Sequence, residues 1–361
     1  MKIDGVAYRS VWLDAGDGWS VRILDQTKLP WALEILRLTN VDEAAHAIRS
    51  MQTRGAPLIG AVAAYGLCLA LRVDASSAAL EPDAAMLAAT RPTAVNLRWA
   101  LDRMLAVLRN TAQAERVAVA YAEAGRIADE DSAQNEAIGR HGLPLIQEIA
   151  ARKPGATVNL LTHCNAGWLA TVDWGTALAP VYKAAEQGIP IHVWVDETRP
   201  RNQGAALTAF ELGSHGVPHA ILVDNAGGHF MQAGQVDMVI VGTDRVTANG
   251  DVANKIGTYL KALAAKDNNV PFYVALPSST LDFNVATGAD IPIEERSQDE
   301  VLKMSGRLPD GSVVTVDIAA PGSGAANPGF DVTPARLVTG LITERGVCAA
   351  TPEGLRSLFP E

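Results

Sequence analysis

Apolar and polar positions alternate over two short runs near the start of the chain, Ala7–Leu13 and Ser20–Leu24, separated by Asp14-Ala15-Gly16-Asp17-Gly18. Strand side chains point to opposite faces with period two, and Gly and Asp supply turn conformations, so this pattern predicts a small antiparallel sheet. From Asp42 the period lengthens. Asp42–Met51, Pro57–Arg72, Ala94–Leu108 and an alanine-rich run from Glu115 to about Gly139 read as helices. After Lys153-Pro154-Gly155, β-branched runs at Thr157–His163, Ile191–Val195, Ala220–Val223, Met238–Val241 and Phe272–Leu276 read as strands. Between them lie the helical segments Thr176–Gln187, Ala205–His215, Gly227–Gly234 and Lys255–Lys266.

Such alternation predicts an α/β fold: a C-terminal doubly wound, Rossmann-like parallel-sheet domain over residues 153–361, behind a smaller N-terminal hairpin-plus-helices domain over residues 1–152. The Gly/Pro/Ala-rich stretch Ala319–Gly329 reads as an ordered surface loop. A final helix is expected to follow it, with Thr333 as N-cap and Pro334 in its first turn.

Composition narrows the function. The 361 residues are 48% hydrophobic, ample for a sizeable core, and 30 Lys+Arg against 40 Asp+Glu leave a formal charge of −10. A general nucleic-acid surface needs a basic excess, so nucleic acid is not an expected partner, whereas a small anion held by a few local cations is compatible. The apolar stretch Gly55–Leu71 carries Pro57 and falls short of the roughly 18–20 residues that span a bilayer, so no membrane helix is expected. Asp4 stands where a signal peptide would begin its apolar region, and a cytoplasmic protein is expected. Of three cysteines, Cys68 and Cys348 read as small core residues and only Cys164 has unusual neighbours.

In open α/β sheets ligands sit beyond the carboxyl ends of the strands, and here those ends are polar. The first strand runs into His163-Cys164-Asn165, the second into Asp196-Glu197-Thr198-Arg199 and on to Gln203, the fourth into Gly242-Thr243-Asp244-Arg245. Cys164 at a strand-to-helix junction would be an activated thiol if the helix N-terminus favours the thiolate, or else a buried structural cysteine. His163 points to the opposite face and reads as structural. Asp244 follows an apolar run whose burial would raise its pKa towards use as an acid, with Arg245 opposing; a capping or ion-paired aspartate is the alternative. Anion-binding candidates are Arg54-Gly55-Ala56 before Pro57, Arg91 before a helix, and Asn254-Lys255 at the expected opening of the Lys255–Lys266 helix. GxGxxG after the first strand, GxxxxGK[ST], GxSxG and HExxH are all missing, so neither a cofactor nor a metal is expected.

The order of these motifs is more specific than any one of them. Arg54-Gly55-Ala56-Pro57, Thr90-Arg91-Pro92-Thr93, Thr162-His163-Cys164-Asn165, Asp196-Glu197-Thr198-Arg199-Pro200 with Asn202-Gln203-Gly204, Gly242-Thr243-Asp244-Arg245, Asn254-Lys255-Ile256-Gly257-Thr258 and Asn327-Pro328-Gly329-Phe330-Asp331 span nearly the whole chain. Together they closely resemble the methylthioribose-1-phosphate isomerases. The same superfamily holds ribose-1,5-bisphosphate isomerases and non-catalytic regulatory subunits of the exchange factor for translation initiation factor 2, which are the two alternatives. The resemblance implies an aldose–ketose isomerase of methionine salvage, converting 5-methylthioribose 1-phosphate to 5-methylthioribulose 1-phosphate as a homodimer without cofactor. It implies Cys164 and Asp244 as the catalytic pair and Arg54, Gly55, Ala56, Arg91, Gln203, Asn254 and Lys255 as substrate-binding residues. Thr243 departs from the family's Gly-Ala-Asp-Arg, placing a hydroxyl beside Asp244.

Overall fold

The computed structural model describes residues 1–360. A two-residue hairpin, β1 (Lys2–Ile3) and β2 (Val6–Ala7), precedes a three-stranded antiparallel sheet of β3 (Val11–Leu13), β4 (Val21–Leu24) and β5 (Ile35–Leu38). Asp17 holds the β3–β4 turn by accepting hydrogen bonds from the Trp19 and Ser20 amides. Five helices follow: α1 (Val41–Arg49), α2 (Ala56–Val73), α3 (Ser77–Ala88), α4 (Val95–Leu108) and α5 (Arg116–Arg152).

Every α2 residue from Leu58 to Leu71 is buried, because a helix apolar all round must be surrounded. Helix α2 is long and apolar enough by composition to cross a membrane, but α1, α3, α4 and α5 pack around it and make it the centre of the first core. Helix α3 was not expected from the sequence: it starts on a Ser76 cap, and its internal Pro82 reads as a breaker. Helix α5 runs past Gly139 to Arg152 and serves two cores. Its Ala120, Ala124 and Ile127 join the helical core, while Ile138, Ile146 and Ile149 pack on the large sheet.

The chain then forms β6 (Val158–Thr162), α6 (Ala179–Glu186), β7 (Ile191–Asp196), α7 (Ala209–Ser214), β8 (His219–Leu222), α8 (Gly227–Gln232) and β9 (Met238–Val241). Next come β10 (Arg245–Thr247), β11 (Val252–Lys255), α9 (Thr258–Asp267), β12 (Phe272–Ala275), β13 (Leu281–Asp282), α10 (Asp299–Leu302) and the hairpin β14 (Lys303–Arg307) and β15 (Val313–Asp317). The last elements are β16 (Phe330–Thr333), β17 (Gly340–Thr343), β18 (Gly346–Cys348) and α11 (Pro352–Leu358).

The seven-stranded sheet has the order β18-β17-β12-β9-β6-β7-β8, with β18 antiparallel to an otherwise parallel set. Both faces are covered. Leu160 and Ile240 pack towards α5 and α6, whereas their neighbours Leu161 and Val239 pack towards α8, α9 and α11. From β6 the chain winds outward through β7 and β8, then returns to β9 on the other side of β6 and winds outward again. A crevice therefore opens between the carboxyl ends of β6 and β9, the place where such a sheet binds ligands.

Three expectations need correction. No helix opens at Thr333: that residue ends β16, which pairs antiparallel with β11, and the last helix is α11, capped by Thr351 with Pro352 in its first turn. Strands β17 and β18 extend the sheet beyond the five expected strands. Asn254 and Lys255 do not open α9 but close β11, since Gly257 at φ 103° makes a left-handed break before Thr258.

Candidate active site

Cys164 lies two residues beyond β6 at φ 65°. Its amide donates to Thr198 Oγ1 at 2.8 Å and its carbonyl accepts from the Thr208 hydroxyl at 2.7 Å, so residues that follow β7 grip the backbone on both sides. The element that follows is the three-residue turn Trp168–Ala170, not an α-helix, so the expected helix N-terminus does not activate the thiol. Burial pushes the Cys164 thiol up, and Arg54 and then Lys255 oppose that rise. The resting group is accordingly weighted to the thiol. His163 offers no base to it, because Nδ1 faces Asp196 Oδ2 and Nε2 faces the Ile256 carbonyl, each at 2.8 Å.

Asp244 follows β9, its amide donating to the Ala253 carbonyl of β11 at 2.9 Å. Burial raises its pKa, against Lys255, Arg91 and Arg54. Arg245, expected to oppose, is committed elsewhere: it pairs with Asp282 at 3.2 Å and donates to the Thr93 carbonyl at 2.7 Å. Thr243 does not disturb the carboxylate, for its hydroxyl donates to the Ala253 carbonyl at 2.7 Å.

One cavity is lined by Cys164 and Asp244 together with Arg54, Gly55, Ala56 and Arg91 from the helical half, and Gln203, Asn254 and Lys255 from the sheet half. Arg54 donates from Nη1 to Asn165 Oδ1 at 2.6 Å and from Nη2 to the Asn165 carbonyl at 2.9 Å. Gly55 caps α2 at φ 101°, and a Cβ there would sit 2.3 Å from the Ala170 carbonyl oxygen. The chain can bring the first turn of α2 against the cavity only without a side chain at that position. Ala56 and Pro57 then open the helix with its first amides free of internal partners.

Arg91 donates to Glu294 Oε2 at 3.1 Å, while its buried Nε has no partner among the described residues. Gln203 Oε1 is likewise buried without one. Lys255 donates to the Gly329 carbonyl at 2.8 Å and lies over the Phe330 ring, and burial holds its ammonium below the usual range. Asn254 is tied to Thr258 Oγ1 at 3.0 Å. Buried polar atoms ordinarily find partners, so the free Arg91 Nε and Gln203 Oε1 on this wall are suited to a polar ligand.

Arg296 also lines the cavity and was missed. Its only sequence signal is the charge cluster Glu294-Glu295-Arg296, in a segment without regular structure; it pairs with Glu294 at 3.0 Å and Glu300 at 2.7 Å. His163, Asp196 and Asp224 form the one His/Asp cluster close enough for a cation among the described residues, and the Lys261 ammonium already stands 3.2 Å from Asp196 there. A half-buried acid, a half-buried thiol and several cations around one crevice can bind a small dianion and move a proton or hydride beside it.

Residues 52–350 match the family model described as the initiation factor 2 subunit family. Methylthioribose-1-phosphate isomerase of Gluconobacter oxydans is 69% identical, over 100% of this chain and 99% of its own length. The protein of the same name from Methylorubrum populi is 66% identical, again over 100% and 99%. The crystal structure of 5-methylthioribose 1-phosphate isomerase from Pyrococcus horikoshii superposes with a TM-score of 0.84 at 38% identity, covering 99% of both chains. A translation initiation factor eIF-2B delta-subunit structure from A. fulgidus gives a TM-score of 0.80 at 40% identity, covering 98% of this chain and 100% of its own. With full-length relatives at this identity, the chain belongs to the initiation factor 2 subunit family and, within it, to the methylthioribose-1-phosphate isomerases.

Proposed function

We propose that this cavity isomerises 5-methylthioribose 1-phosphate to 5-methylthioribulose 1-phosphate. The observation that carries the reading is the meeting of Cys164 and Asp244 at the switch point of the sheet, inside a cavity that Arg54, Arg91 and Lys255 also line. A phosphate on carbon 1 caps the anomeric centre, so the ring must open by acid assistance. Asp244, whose pKa burial raises, gives a proton to the ring oxygen as the bond to carbon 1 breaks. Hydrogen then passes from carbon 2 to carbon 1 and the carbon 2 hydroxyl gives up its proton, leaving the ketone. Cys164 serves this second step, either as thiolate relay or by stabilising a 1,2-hydride shift.

In this reading residues 1–152 form the lobe that supplies Arg54, the α2 amides and Arg91 to the phosphate. Residues 153–361 carry the reacting pair, with Gln203, Asn254 and Lys255 as further substrate contacts. These charged contacts are made in ground and transition states alike, so their use is alignment of the reacting carbons. Homodimeric assembly in the cytoplasm belongs to the same proposal, and light scattering on the purified protein checks the dimer.

Incubation with a panel of pentose 1-phosphates, followed by NMR of the ketose, tests the function. Turnover of methylthioribose 1-phosphate is the expected result. Faster turnover of ribose 1,5-bisphosphate would replace the substrate, and no turnover of any member would favour the non-catalytic subunit.

A further inference from the structure

Behind the cavity wall lies a buried carboxylate that the reaction does not touch. Glu211 of α7 is fully buried and accepts four hydrogen bonds: from Asn165 Nδ2, the Trp168 amide and the Leu169 amide, each at 2.9 Å, and from the Tyr182 hydroxyl at 2.8 Å. Its fit to the Cys164–Ala170 loop is tight, since a Cβ on Gly167 would overlap Glu211 Oε2. With Nδ2 directed to Glu211 and to Thr208 Oγ1, the Asn165 amide has one orientation, and its Oδ1 faces Arg54. The Asn165 carbonyl takes the second Arg54 donor, so the guanidinium is held in a fork. Arg54 in turn is the cation with the largest influence on Cys164.

We propose that Asn165 and Glu211 are positioning residues for the isomerisation, acting in series to aim the Arg54 guanidinium into the cavity that Cys164 and Asp244 share. This rests on the assignment of Cys164 and Asp244 as the reacting pair. Glu211 itself reaches neither group; it is saturated by donors and fixes the amide that fixes the arginine. The charged groups that face the thiol are Arg54 at the entry to α2, Lys255 at the end of β11 and Asp244 after β9. Arg54 is the one among them whose contacts lead back to a buried anchor.

The test is the pH dependence of Cys164 alkylation by iodoacetamide, read site by site by mass spectrometry, beside kcat and KM. The thiolate is the nucleophile, and a neighbouring cation shifts a pKa by roughly one unit or more. Asn165→Ala is expected to raise the midpoint by about one unit, slowing alkylation about tenfold at a fixed lower pH, and to lower kcat more than it raises KM. An unchanged or lowered midpoint in folded Asn165→Ala would overturn the proposal. Should that variant not fold, Glu211→Gln keeps the shape but removes one acceptor; burial already weakens the charge of Glu211, and losing that charge would by itself lower the midpoint, so a rise reports the released arginine and its absence would overturn the proposal. Alkylation needs no substrate, so a wild type that fails to isomerise the phosphosugar sinks the functional reading while this test still reports on the network.

Discussion

Cys68 in the helical core and Cys164 beyond the carboxyl end of a central strand are two cysteines with raised thiol pKa values and different neighbours. Burial raises both. Around Cys68 no charged group opposes the rise: apolar residues of α2 and its neighbours surround it, only a hydrogen bond from its own backbone works the other way, and its thiol donates to the Ala64 carbonyl at 3.3 Å within the helix. Around Cys164, Arg54 and Lys255 pull against the rise, and an aspartate with its own raised pKa shares the cavity. Burial alone makes an inert thiol; burial among fixed cations makes one whose charge state a ligand can change.

The largest effects should separate the two regions outright. Asp244→Asn keeps shape and removes the titrating proton, and Cys164→Ser keeps a small polar group; each is expected to lower kcat by roughly 10²–10⁴ in a protein whose thermal melt stays close to wild type. Near-normal turnover in folded Cys164→Ser would end the distinction between the thiols. Next in size is Arg91→Ala. Losing a charge-assisted contact of about 1.5–3 kcal/mol should raise the phosphosugar KM roughly 10- to 150-fold with a smaller change in kcat.

The pH profile sharpens the comparison further. Because burial lifts the Asp244 pKa, its acid form survives to higher pH than in an exposed aspartate and is lost as pH rises through that lifted value. Turnover should therefore fall on the alkaline side, and the residual rate of Asp244→Asn should lose that limb. Smallest of all is Cys68→Ala. It leaves a cavity of only one sulfur atom in the helical core, so kcat should stay within about twofold of wild type while stability drops by around 1 kcal/mol, read by urea unfolding.

Much of this site could be read before any fold was known, because strand ends are local features. Met238–Val241 is apolar enough to be a buried strand from its own residues, and whatever follows such a strand in a parallel sheet lies near ligand, which singled out Asp244 and Cys164. The Asn254–Lys255 segment was legible as chemistry but not as structure. Its strand character comes from pairing Asn254 with Asp331 and Lys255 with Phe330, across a separation that no local pattern reveals. Strand β17 escaped notice for the same reason, its place depending on β12 beside it.

The sequence by itself determined which residues stand at the ends of apolar strands, which glycine and proline open α2, and which motif order marks the family. Those follow from side-chain period, turn chemistry and spacing along the chain. Only the tertiary structure decided that β6 and β9 are neighbours and that Arg54 reaches Asn165 across 111 positions of sequence. It likewise decided that Arg245, though adjacent to Asp244, spends its charge on Asp282. Charge and desolvation act through space, so the protonation states that make the cavity an acid–thiol site are set by packing between segments distant in the chain.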